Sequence, residues 1–186
     1  MQSTRDFTVL MIGETVLVLQ KFEHYLAAVL LSMVTASEAD QKLQKVLLRD
    51  KETLGRLMKH FAERTELPEH FSDTFDELLE KRNLFVHNLF MAPWFDIKTP
   101  DGCSRLQEYM KEIRVAAKVA FHVMIAVSLG RPAVPQSKEV EQRIAHILDR
   151  IQATAEPYFG ELTEEQYVAK VVQNAVETFS PKPGEA

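Results

Sequence analysis

Arg82-Asn83-Leu84-Phe85-Val86-His87 is the segment of this chain whose residue types and spacing could do chemistry. A histidine titrates near neutrality and can serve as general base or general acid. An arginine offers a planar, permanently charged fork of donors that fits a phosphate or a carboxylate. On one helix, Arg82 falls in the middle of an apolar stripe formed by Phe71, Phe75, Leu78, Phe85 and Leu89. At about 100° per residue, Asn83 and His87 lie nearly stacked on one edge of that stripe. Glu77, Lys81 and Asn88 occupy the opposite, solvated edge. A guanidinium centred on a packing face is costly unless it meets a carboxylate or a water-filled cleft. Glu14 and Glu23 each interrupt one apolar stripe of the N-terminal helix and are the candidate counter-charges. Two readings follow: a purely structural ion pair, or a polar pocket at a junction of helices.

Other chemistry is thinner. Lys111, Arg114, Lys118 and His122 form one stripe at spacings of three and four, opposite Leu106, Tyr109, Met110, Ile113 and Phe121. Such a stripe is either ordinary solvated surface or a track for a polyanion backbone, with Lys111, Arg114 and Lys118 as the candidate RNA contacts. No metal site and no cofactor are expected: His24, His60, His70, His122 and His146 have no His-Glu-x-x-His or Glu-x-x-His partners. Cys103 is the single cysteine, has no histidine at fixed spacing, and reads as an incidental thiol. Gly130-Arg131-Pro132 is a helix stop rather than a phosphate loop. Trp94 and Phe95 read as core plugs, or as aromatics placed to stack a base.

Helices must position these residues. Six Gly and eight Pro punctuate long stretches of helical periodicity, and no segment alternates like a strand. Helices are expected over Asp6 to Val34, Asp40 to Leu48, Thr53 to Glu63, Glu69 to Met91, Ser104 to Leu129, and from an N-cap at Ser137 to Ala155. A last helix should start at a Thr163/Gln166 capping box with a Leu162/Tyr167 staple, ahead of a frayed tail at 180–186. The expected fold is all-α, with 133–179 an appended helical pair packed on a bundle spanning 1–132. The first helix is apolar on both sides, with Phe7, Leu10, Met11 and Val18 on one and Val9, Ile12, Val16 and Leu19 on the other. It calls for cover from its own C-terminal helices or from a second copy in a homodimer.

Bulk properties narrow the class. A chain of 186 residues can bury a full core without metal or disulfide, and 46% apolar with 26% charged residues is a globular composition. A net charge of −5 opposes indiscriminate nucleic-acid binding but leaves room for a local basic cleft. Arg5, Asp6, Glu14, Gln20 and Lys21 break the N-terminal apolar stretch, and the longest clean run is Leu26 to Leu31. A cytoplasmic chain with neither signal peptide nor membrane anchor is expected.

An Arg, a polar residue, three further residues and a His near the end of a helix resembles the signature of HEPN domains. Thr53-Leu54-Gly55-Arg56-Leu57, with an amphipathic helix leading into the motif helix, is similar to bacterial HEPN-type proteins. The resemblance covers residues 5–130. It implies an up-down bundle of four or five helices, here with extra C-terminal helices, that dimerises so that two Arg/His motifs share one cleft. It also implies a metal-independent endoribonuclease, in a toxin or defence setting where a neutralising protein partner is common. Arg82 and His87 would then be catalytic and Asn83 the neighbour that shapes the site. His87 would act on the RNA 2′-hydroxyl and Arg82 on the charge developing at phosphorus, leaving a cyclic phosphate and a free 5′-hydroxyl. The chain departs from a minimal bundle in its long extension after His87.

Overall fold

A computed structural model describes residues 2–35, 37–49, 52–65, 67, 69–129 and 135–152. Among them the protein is all-α: six α-helices and no strand. These are α1 (Gln2–Met33), α2 (Glu38–Leu47), α3 (Leu54–Ala62), α4 (Glu69–Asn83), α5 (Pro100–Leu129) and α6 (Lys138–Gln152). The expected capping box at Thr163/Gln166, the staple at Leu162/Tyr167, the tail at 180–186 and the stop at Gly130-Arg131-Pro132 lie outside the described residues.

The helices begin where small polar side chains can take over unsatisfied N–H groups. Ser137 caps α6 as its type suggests, its hydroxyl accepting from Val140 N–H at 3.4 Å. Ser37 caps α2 through Asp40 N–H at 3.2 Å, so that helix starts two residues before Asp40. Two helices start four residues earlier than expected, α1 at Gln2 rather than Asp6 and α5 at Pro100 rather than Ser104. Thr99 is the cap of α5, accepting from Gly102 N–H at 3.2 Å, and Pro100 takes the first helical position, where a missing N–H costs nothing. The Pro-Asp-Gly run that suggests a turn is thus the first turn of a helix.

The chain forms two compact units, Met1–Leu26 with Glu52–Ala120, and Ala27–Lys51 with Phe121–Ala186. In the first, the core gathers Leu19, Phe22, Leu57, Phe61, Phe75, Leu78, Leu106, Met110 and Ile113. Phe75 anchors it, stacked on Phe61 at 5.6 Å between ring centroids and tilted against Phe22 at 6.3 Å. Polar ties join α1 to α5: Gln107 Nε2 donates to the buried Thr8 hydroxyl at 2.8 Å, and Arg114 pairs with Glu14 at 3.1 Å. Both contacts advance in the same direction, so the two helices run parallel within this unit. In the second unit, Leu30, Leu31, Leu43, Leu47, Met124, Val140 and Ile147 are buried. Gln136 Nε2 ties off the end of α1 by donating to the carbonyls of Ser32 and Val34 at 3.2 Å each.

Helix α1 answers the sequence pattern only in part. Leu19, Phe22 and Leu26 are buried, while Phe7, Val9, Leu10 and Leu17 remain exposed. Although polar residues interrupt its apolar runs, α1 is long and apolar enough to cross a membrane by length and composition, and half of its most apolar stretch is buried in the protein.

Two glycines give a paired test. A Cβ on Gly102 would sit 1.9 Å from the Asp96 carbonyl oxygen, whereas one on Gly13 meets nothing within 4 Å. Gly102→Ala should therefore destabilise by about 1–3 kcal/mol through forced backbone displacement. Gly13→Ala should stabilise by about 0.5–1 kcal/mol by restricting the unfolded chain. Urea unfolding of both variants beside wild type checks this; equal effects of one sign would contradict the packing at Asp96.

Candidate functional site

The motif helix is not regular to its end. After α4 stops at Asn83, the chain makes a π-helical turn over Leu84–Asn88 and then a 3-10 turn over Leu89–Met91. This departs from the single regular helix expected to Met91, and the difference controls the site. Residues five apart in an α-helix point about 140° away from each other. A turn closed by i→i+5 bonds holds about 4.4 residues, or about 80° per residue. Arg82 and His87 are five apart, and the three widened steps from Leu84 to His87 narrow the angle between them from about 140° to about 90°. The wider turn brings His87 towards Arg82.

They do meet. Arg82 Nη1 lies 3.0 Å from His87 Nε2 and 3.2 Å from Asn83 Oδ1, while Nη2 donates to Glu23 Oε1 at 2.8 Å. A guanidinium has donors and no acceptor, so His87 Nε2 must present its lone pair, with the ring proton on Nδ1. Asn83 and His87 are exposed, Arg82 is 17% exposed and Glu23 27%. The Nε of Arg82 is buried without a hydrogen-bond partner. Phe75, Leu78 and Phe85 of the expected stripe are buried on either side of the arginine, so the charge leaves the packing face only through its long stem.

Of the two candidate counter-charges, Glu23 holds Arg82. Glu14 instead pairs with Arg114. The basic stripe on α5 is thereby largely self-neutralised within the unit, because Lys111 also pairs with Glu108 at 3.1 Å, and Lys118 is exposed. His122 belongs to the second unit. Cys103 is buried, its thiol 3.5 Å from the Ile97 carbonyl oxygen. Among the described residues no group of three or more His, Cys, Asp or Glu could hold a metal ion.

No protein-family model matches this chain, and neither the curated proteins nor the solved structures contain a significant match. The site is therefore read from its own geometry.

Several residues that matter here carry no motif-like signal. Lys81, which reads as ordinary surface, pairs with Glu112 at 2.6 Å and with Glu77 at 3.4 Å, and its ammonium sits 5.6 Å from the centroid of the Tyr109 ring. The Tyr109 hydroxyl donates to the Lys81 carbonyl at 2.9 Å. Hydrogen bonding to Glu112 raises the Lys81 pKa above its ordinary value, and burial raises that of Tyr109, so both keep their protons well past neutrality. Trp94 rests on Tyr109 with centroids 5.0 Å apart. Phe95 packs edge-on against Phe90 at 5.2 Å, so both aromatics after the motif have protein neighbours. Phe90 and Met91, which follow the apolar stripe, are 87% and 81% exposed. The π turn and the non-helical Asn88 (φ −127°, ψ 11°) break the helical register before them.

The Arg82–Glu23 pair is less than one third exposed on both sides, so it should be energetically coupled. A double-mutant cycle of Arg82→Ala and Glu23→Ala should give a coupling of about 1–2 kcal/mol in urea unfolding. Additivity within about 0.3 kcal/mol would show that the pair adds nothing to stability.

Proposed function

We propose that this protein is a metal-independent endoribonuclease of HEPN-like type whose catalytic pair is Arg82 and His87. The observation that carries the reading is the 3.0 Å approach of Arg82 Nη1 to an exposed His87 Nε2. A fixed cation and a neutral imidazole lone pair in contact are the two groups that attack of a 2′-hydroxyl on its own phosphodiester requires. His87 takes the 2′-hydroxyl proton, the 2′-oxygen bonds to phosphorus, and the bond to the 5′-oxygen breaks, leaving a 2′,3′-cyclic phosphate. The departing 5′-oxygen takes a proton from the imidazolium of a second His87 or from water. In the free protein the lone pair of His87 is occupied by Arg82. A phosphate must therefore draw Nη1 onto its own oxygens before His87 can act as base. Glu23 orients the guanidinium from the other side, and Asn83 holds the same nitrogen, Nη1, as a neighbour that shapes the site.

The fold supports the assignment in outline: α1 and α5 are parallel within the unit that carries α4, as an up-down bundle with extra C-terminal helices requires. A second copy completes the cleft in this reading. The exposed Phe7, Val9, Leu10 and Leu17 on α1 are the apolar side chains that a second copy would cover. A cytoplasmic setting, a toxin or defence role and a neutralising protein partner belong to the same proposal. The alternative is a non-catalytic helical interaction or nucleotide-binding module. It is favoured by one observation, that Glu23 already neutralises Arg82 within the same chain.

Cleavage of a mixed RNA pool in EDTA separates the readings. Wild type should release fragments with cyclic-phosphate ends, and His87→Ala and Arg82→Ala should each lose at least about 100-fold in rate while circular dichroism stays helical. Absence of cleavage by all three proteins would leave the interaction module. Sedimentation should give twice the monomer mass for wild type and the monomer mass for a Leu10→Lys, Leu17→Lys variant; a wild-type monomer at every concentration would exclude the shared cleft.

A further inference from the structure

The π-helical turn that joins Arg82 to His87 is an improbable piece of backbone. Such turns occur as single insertions, and relaxing this one to α geometry would swing position 87 about 50° further from Arg82. Something outside the motif has to hold the helix at the point where it widens. Widening a helix from i→i+4 to i→i+5 bonding disturbs the carbonyls of the preceding turn, and a side-chain donor is the group that can satisfy them. The Tyr109 hydroxyl supplies one, donating to the Lys81 carbonyl at 2.9 Å. The same residue is gripped a second time by its side chain, which is held by Glu112 at 2.6 Å and lies beside the Tyr109 ring. Tyr109 is itself seated on Trp94. All of this belongs to the residue next to Arg82, and none of it touches Arg82 or His87.

We infer that Tyr109 and Glu112 are positioning residues, which clamp Lys81 from α5 and so hold the widened turn that sets His87 Nε2 against Arg82 Nη1. Hydrogen bonding raises the Lys81 pKa and burial raises that of Tyr109, so the ammonium and the hydroxyl both remain donors across the neutral range. Glu77, which also faces Lys81, is on α4 itself and cannot fix that helix relative to α5. The clamp as a geometric device is independent of the reaction. Its consequence for catalysis rests on the ribonuclease reading.

The test reads the ring nitrogens of His87 by 15N NMR in the full chain, with Tyr109→Phe, the Tyr109→Phe, Glu112→Gln pair, and Glu108→Gln as a control. Glu108 lies on the same helix and pairs only with Lys111 among the contacts of its carboxylate described here. Wild type and the control should show His87 as the Nδ1–H tautomer imposed by Arg82. Tyr109→Phe should shift it towards a tautomer mixture and the pair should lose the preference, with helical content unchanged. His87 fixed as Nδ1–H in a folded pair variant would overturn the inference. If RNA is cleaved, kcat should fall at least 10-fold in the pair variant with KM changed less. A tautomer shift without any wild-type cleavage would keep the clamp and remove the ribonuclease; cleavage unchanged in a pair variant whose tautomer has shifted would remove the clamp's role in catalysis.

Discussion

Arg82 carries a charge that no ordinary pH removes, and its helix face is otherwise packed: Phe75, Leu78 and Phe85 are all buried. Burying such a charge without partners costs far more than the packing around it returns, so the surrounding structure has to supply acceptors. Glu23 supplies a carboxylate from α1, and His87 and Asn83 supply a ring nitrogen and an amide oxygen from the arginine's own segment. Each acceptor demands a particular placement. The carboxylate requires α1 to lie against α4, and the ring nitrogen requires the helix to widen so that a residue five positions on turns back.

This arrangement accounts for why the site can be read in two ways. An arginine tied to a carboxylate in its own chain is the ordinary solution to a charge in a helix face, and it needs no function. The same tie also orients a cation beside a histidine lone pair that remains at the surface. What distinguishes this site from a simple ion pair is the backbone. A structural pair of Arg82 and Glu23 needs no π turn, because an unbroken α-helix would present Arg82 to Glu23 equally well. The widened turn brings His87 into the contact.

Elsewhere on the first unit, two cations of the α5 stripe stand in ion pairs. Arg114 with Glu14 and Lys111 with Glu108 cancel much of the stripe along α5, and exposed pairs of this kind contribute little stability. In the ribonuclease reading, a long-range basic funnel is therefore not what would bring RNA to His87, in keeping with a net charge of −5. Recognition would have to be local, through Arg82 and the exposed edge of the turn. The apolar residues left open on α1 lie within the same unit.

The helical class and the bounds of α2 and α3 to within two residues were legible in the amino-acid sequence, as was the start of α6, because apolar spacing and capping residues such as Ser137 act over a few positions. So was the presence of a costly arginine with a carboxylate on the first helix to answer it. The start of α5 is not legible in this way, since Pro100 and Gly102 are turn-formers whose meaning changes once Thr99 caps a helix. Which glutamate would pair with Arg82 could not be read from spacing: Glu14 and Glu23 each interrupt an apolar stripe of α1, and only the packing of α1 on α4 and α5 sends them to different arginines. The π turn was equally invisible. Its i→i+5 bonds are worth too little for local sequence to specify them, and the grips on Lys81 come from Tyr109 and Glu112, 28 and 31 residues away. Sequence by itself thus determined which groups are present and on which helix, since periodicity is local; tertiary structure decided which of them touch, since that depends on how separate helices pack.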